Sequence, residues 1–168
     1  NFDLLKANFD ADEFKLIVSR NVELVRQSGS SSTWVFSNHD VVRHPTRYGL
    51  PPAPRHDGGE LITDSGPEHD WLLSGGAYPI LDQEVGLQRA LAATLFMLAL
   101  PGSAYLYQGE ELGLHEVVEI DSNQRQDPTF FRTHATEIGR DGCRVPLPWT
   151  SERPAFGFSE RSAHLPQP

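Results

Sequence analysis

Three short clusters in the chain carry side chains able to do chemistry. The first is Ser37-Asn38-His39-Asp40, which ends the apolar run Thr33-Trp34-Val35-Phe36 and is followed by Arg43 and Arg47. A carboxylate accepts hydrogen bonds and an imidazole donates one, so His39 and Asp40 could together hold vicinal hydroxyls. A capping aspartate beside a surface histidine is the plainer alternative, and both readings stay open. The second cluster is "YQGEELG", with adjacent Glu110 and Glu111. These could bind a metal, orient a base or hold an arginine. Taken alone they better suit a helix N-terminus, where acidic side chains complement the dipole. The third is "GRDGCRVPLPW", with Arg140, Asp141, Arg144 and Trp149. A guanidinium can clamp a carboxylate in bidentate fashion and an indole can stack on a sugar face. A tight Asp-Gly turn closed by its own ion pair accounts for the same residues.

Other chemistries find no footing. The histidines at 39, 44, 56, 69, 115, 134 and 164 show no ligand-type spacing and read as scattered loop residues. No metal site and no cofactor is expected. There is no G-x-S-x-G and no phosphate-cradling glycine loop. Cys143 lies beside arginines that could lower its pKa, but no partner pattern marks it as a nucleophile. As the single cysteine it excludes an internal disulfide, and it is compatible with a reducing compartment; a cytoplasmic location is expected.

The elements that must position these clusters are legible in part. The chain has 168 residues, enough for one domain with a sizeable core. Its net charge of −9 argues against nucleic acid and against an anionic membrane surface as partners. No apolar run is long enough to span a bilayer. "NFDLL" at the start reads as the end of a strand. Asp10 then offers a cap, and Phe14, Ile17, Val18, Val22 and Val25 recur at helical spacing until about Gln27. A serine-glycine break precedes a buried strand over residues 33–36. Residues 41–81 hold no sustained period and are punctuated by "PPAP" and "DGGE", as a long functional loop would be. Residues 84–100 form the clearest helix, apolar almost all round from Ala90 and so expected to be buried. Pro101-Gly102 stops it, and residues 103–107 read as a further strand. This alternation implies a parallel α/β sheet, and in such sheets active sites lie at the C-terminal strand ends.

Taken together the motifs resemble the α-amylase superfamily of retaining glycoside hydrolases, in its bacterial α-glucosidase/oligo-1,6-glucosidase branch. "FSNHD" looks like the family's fourth conserved segment, at the end of the seventh barrel strand. "LPGSAYLYQGEELGL" looks like the eighth strand and its exit, "RDGCRVPLPW" is similar to the loop that follows, and "NFDLL" fits the sixth strand. The resemblance covers residues 1–149. It implies the C-terminal portion, about strands 6 to 8, of a (β/α)8 TIM barrel. Residues 150–168 would be a tail toward the last barrel helix and a C-terminal β-domain.

The resemblance also implies roles. Asp40 would be the third catalytic carboxylate, stabilising the transition state. His39 would donate to the sugar, Arg144 would pair with an aspartate at the pocket floor, and Arg43 would be a further substrate-binding residue. The nucleophile and the acid/base would belong to strands preceding Asn1. The chain, which begins without methionine and stops at "HLPQP", reads as a piece of a longer protein, inactive and aggregation-prone alone. The implied activity is hydrolysis of terminal α-linked glucose from maltose or short malto-oligosaccharides. An oligo-1,6-glucosidase, or a transglycosylase or isomerase, is the near alternative. A non-catalytic transporter-associated or sugar-binding domain is the alternative of another class.

Overall fold

The computed structural model describes residues 2–54 and 66–168. Asn1, His56 and the "DGGE" punctuation at 57–60 therefore lie outside the described residues. Helix α1 spans Ala11–Ser28. It begins where Asp10 accepts the Glu13 N–H at 2.9 Å and ends at Gly29, whose φ of 70° suits glycine. Strand β1 is Thr33–Val35 and β2 is Ser103–Tyr105. They pair in parallel, Trp34 opposite Ala104, so both C-terminal ends point the same way. The parallel arrangement expected from the sequence holds, with strands one and two residues shorter.

Three local expectations change. Asp3–Leu5 is a turn of 3-10 helix, not a strand. Leu5 and Lys6 donate backwards to Phe2 and Asp3, so local bonds satisfy this backbone while Leu4 and Leu5 point inward. The described residues between 41 and 81 form two short helices, α2 (His44–Gly49) and α3 (Pro67–Leu73), each with a proline in its first turn, where no N–H partner is needed. Elements of six or seven residues are too short to show a helical period. Helix α4, Gln83–Leu98, is buried on one stripe only, at Gly86, Ala90, Ala93 and Met97. Leu91, Leu95 and Leu98 on its other face are 55%, 70% and 56% exposed.

The core brings Leu4, Phe14, Trp34, Phe36, Tyr48, Ala90 and Met97 together. Trp34 is fully buried and satisfies its indole N–H on the Pro101 carbonyl at 2.8 Å. Helices α2 and α4 touch backbone to backbone. A Cβ on Gly86 would collide with the Pro45 carbonyl and stand 3.0 Å from the Gly49 Cα. That contact sets α2 directly behind the end of β1. A smaller cluster of Ile120, Val145 and Leu165 seats the segment carrying Arg140 and Arg144. Helix α5, Pro128–Arg132, starts nearby on Asp127, whose carboxylate accepts the Thr129 N–H at 2.9 Å.

Candidate active site

Beyond β1 the chain turns on itself, the Asn38 side chain accepting the Asp40 N–H at 2.8 Å. The turn lifts Asp40 into a half-exposed position at the C-terminal end of the strand pair. Its Oδ1 accepts two guanidinium bonds, from Arg140 Nη1 at 2.7 Å and from Arg144 Nη2 at 3.1 Å. Arg144 also donates through Nε to the His39 carbonyl at 2.8 Å, so one planar fork fixes both residues of the pair. The His39 ring places Nε2 3.4 Å from Asp40 Oδ2. The structure thus brings together His39, Asp40 and Arg144 of the four expected site residues. A cleft of about 490 Å³ opens beside them, with Lys6, Asn8, Arg47, Tyr48, His69 and Glu137 in its walls.

Arg43, the fourth expected site residue, lies beneath this cluster and makes none of its bonds. It is 1% exposed. Its guanidinium donates to the Gln108 carbonyl at 2.9 Å and the Cys143 carbonyl at 3.0 Å, and it lies 5.0 Å from the centre of the Tyr107 ring. Its own N–H is held by Glu116 at 3.0 Å. Tyr107 repeats the tie, donating its hydroxyl to the same Cys143 carbonyl at 3.0 Å. Arg43 therefore fastens the exits of β1 and β2 to the Arg140–Arg144 segment from below. Both terminal nitrogens of this deep cation are taken by carbonyls, and its Nε is buried without a hydrogen-bond partner.

Asp127 and Glu116 support the site without being singled out by the sequence, whereas Arg140, which the third cluster offers as a possible carboxylate clamp, does clamp Asp40. Arg140 is bound by Asp127, whose Oδ2 accepts its Nε at 2.6 Å and its backbone N–H at 3.0 Å. The guanidinium beside Asp127 holds that carboxyl well below the usual carboxylate range. In sequence, Asp127-Pro128 signals only a helix start. Asp141 does close a turn, but by accepting the N–H groups of Gln126 and Asp127 and not through an arginine of its own. Trp149 is 70% exposed and does not reach Asp40 through any bond of the network.

The glutamate pair starts a 3-10 turn, Glu110–Leu112. Glu111 accepts the Gly109 N–H at 2.8 Å. Glu110 is buried 3.8 Å from His44 Nδ1, and burial pushes its carboxyl up to about 7. Burial, helped by Arg47, lowers His44 to about 3, so the ring is neutral and sits with Nδ1 2.9 Å from Ser37 Oγ. His44 is thus a core group of α2, not a scattered loop histidine. Among the described residues no group of three or more His, Cys, Asp or Glu could hold a metal ion, and no helix is long and apolar enough to cross a membrane. Cys143 is fully buried, and desolvation, with Glu116 adding to it, pushes its thiol up to about 12. The nearby arginines do not win, which reverses the expectation from sequence.

Comparison with known proteins identifies the family. A family model described as the alpha-amylase catalytic domain matches residues 79–167, more than half of the chain. A probable alpha-glucosidase of Rhizobium meliloti (strain 1021) is 38% identical over 133 residues, which are 79% of this chain and 18% of that protein. The trehalose synthase/amylase TreS of Mycobacterium tuberculosis (strain CDC 1551 / Oshkosh) is 32% identical over 113 residues, 60% of this chain and 16% of that protein. Among solved structures, an alpha-glucosyl transfer enzyme superposes with a TM-score of 0.64 at 32% identity, over 99% of this chain and 24% of that one. The chain thus spans a quarter or less of the length of these relatives. A parallel strand pair with its polar cluster at the C-terminal ends, in a segment that matches this family over most of its second half, means that the chain belongs to the alpha-amylase catalytic-domain family of TIM-barrel glycoside hydrolases.

Proposed function

We propose that the complete protein is a retaining α-glucosidase acting on terminal α-linked glucose of short oligosaccharides, and that Asp40 is its transition-state-stabilising carboxylate. In this reading β1 and β2 are the seventh and eighth strands of the barrel, and residues 1–149 belong to its C-terminal part. The observation that carries it is the asymmetric seating of Asp40. Both guanidinium bonds fall on Oδ1, and Oδ2 is left beside the His39 imidazole. An anion anchored by one oxygen and open at the other is built to accept a hydroxyl. As positive charge develops at the anomeric carbon, the neighbouring hydroxyl becomes more acidic. A fixed carboxylate then binds it more tightly than in the ground state, which lowers the barrier. His39, bracketing the same oxygen, is suited to donate to the adjacent hydroxyl.

No motif in the chain assigns the nucleophile or the acid/base, and the paired-carboxylate chemistry of retention requires both. They are proposed to come from other parts of the complete protein. A second reading, transfer of glucose to a sugar acceptor instead of water, draws support from two relatives, a trehalose synthase/amylase and an alpha-glucosyl transfer enzyme. Asp40→Asn in the complete protein tests the core of both. Turnover of p-nitrophenyl α-glucoside is expected to fall about a hundredfold or more while the melting temperature holds. Near-wild-type kcat would remove Asp40 from the mechanism.

A further inference from the structure

We infer that Asp127 is a positioning residue for this reaction, locking Arg140 in the one arrangement that lets the same guanidinium reach Asp40. The inference rests on the reading of Asp40 given above. The side chain of Arg140 is 40% exposed, and that of Asp127 is 0% exposed. A half-exposed arginine ordinarily wanders among rotamers, and ordering it costs entropy. Here the freedom has been removed from the buried end. Asp127 accepts the Arg140 backbone N–H, its Nε and, at 3.4 Å, its Nη2. Only Nη1 projects onward, and it meets Asp40 at 2.7 Å.

Asp127 is itself fixed from every side. Its backbone N–H is held by the Asp141 carboxylate at 3.1 Å. Its Oδ1 caps α5 through Thr129. Gly139, at φ 80°, lies against it so closely that a Cβ there would stand 2.9 Å from the Asp127 Cβ. The charges also alternate: buried anion, bridging cation, half-exposed anion. Arg140 is strongly held in its charged form by Asp127 first and Asp40 second. A chain of this kind transmits the rigidity of the α5 cap to the carboxylate that faces the cleft. Displacing a reacting-site group by about 1 Å can cost about a hundredfold in rate, so loosening Arg140 should be visible in kcat.

The test uses the complete protein, with p-nitrophenyl α-glucoside as substrate and Asp127→Asn, Arg140→Gln, their double variant and Asp40→Asn compared side by side. Asp127→Asn should lower kcat about tenfold or more, with KM within about twofold and the folded fraction unchanged. If Asp127 acts through Arg140, the double variant should lose no more than Arg140→Gln alone. Losses that multiply in the double variant, or an Asp127→Asn rate that tracks only the folded fraction, would overturn the inference. Should Asp127→Asn fail to fold, Arg140→Gln decides alone, because its side chain is half in solvent; a wild-type kcat there overturns the relay. An inactive Asp40→Asn beside a fully active Arg140→Gln refutes this inference alone. A fully active Asp40→Asn refutes the reading beneath it.

Discussion

Arg144 grips His39 and Asp40 with one guanidinium, Nε on the carbonyl of the first at 2.8 Å and Nη2 on the carboxylate of the second at 3.1 Å. The two bonds leave along one edge of a planar group, so they set the angle between the histidine's backbone and the aspartate's side chain. A lysine at this position keeps the charge but offers a single point of attachment. Arg144→Lys should therefore cost about tenfold or more in kcat, whereas the folded state should be preserved. Steady-state kinetics on the complete protein, read beside a thermal melt, checks this. Equal kcat for lysine and arginine would mean that charge alone suffices and that the fork does not matter.

Glu116 supports the site from below, and its burial gives it a pH signature. Its Oε2 accepts the Arg43 N–H at 3.0 Å, and its backbone N–H donates to Thr46 Oγ1 at 2.8 Å. Desolvation pushes its carboxyl from the ordinary 4.5 up to about 7, against the pull of Arg43. Between those values the folded protein keeps a proton that the unfolded chain has released. The stabilisation is complete below about 4.5 and is lost as pH rises through about 7. Glu116→Gln has no proton to lose. Its stability relative to wild type should improve between pH 4.5 and pH 8, by about 3 kcal/mol. Urea unfolding of both proteins at the two pH values measures it. A difference that does not change with pH would show that Glu116 titrates normally.

Much of this arrangement is legible in the sequence, and the remainder is hidden for identifiable reasons. Asp10, the spacing of Phe14 to Val25 and Gly29 mark α1 because caps and period act locally. The position of Asp40 at the end of an apolar strand is legible locally, while its expected role comes from the family resemblance alone. The buried position of Arg43 is not legible from its sequence neighbourhood, which is that of the site. Its partners, the carbonyls of Gln108 and Cys143, lie 65 and 100 residues away and carry no side-chain signature. Backbone acceptors are invisible to any reading of residue types. Asp127 was missed for the converse reason. Its local role as the cap of α5 is complete in itself, and nothing nearby shows that the same carboxylate also anchors Arg140. The apolar run of α4 suggests burial all round, yet among the described residues only the stripe of Gly86, Ala90, Ala93 and Met97 is buried.

Cys143 offers a direct check on how tightly the loop over Arg43 is closed. Its thiol is buried, donates to the Arg140 carbonyl at 3.2 Å, and has its pKa pushed up to about 12. Alkylation proceeds through the thiolate, which at neutral pH is a vanishing fraction of such a group. In the native complete protein Cys143 should resist iodoacetamide at pH 8 for hours, and should react at once in denaturant. Peptide mass spectrometry of the 139–149 segment reads the outcome. Rapid native modification would mean that the segment carrying Arg140 and Arg144 opens readily, and the clamp on Asp40 would then be intermittent.

The 168-residue chain by itself should neither hydrolyse p-nitrophenyl α-glucoside nor stay monomeric. Activity on such a substrate needs a nucleophile and an acid/base as well as the proposed stabiliser, and Asp40 supplies only the last. Its surface points the same way. Leu95 of α4 is 70% exposed, and Tyr105 and Leu106 at the end of β2 are 61% and 51% exposed. A short parallel strand pair also presents unpaired edges, which other chains can extend. Exposed apolar side chains beside an open edge favour association over solubility. Size-exclusion chromatography of the expressed chain should show oligomers or aggregate, and the same preparation should give no p-nitrophenol above background. A monomeric preparation that turns over substrate would place a complete catalytic set within these residues and would displace Asp40 from the stabilising role proposed for it.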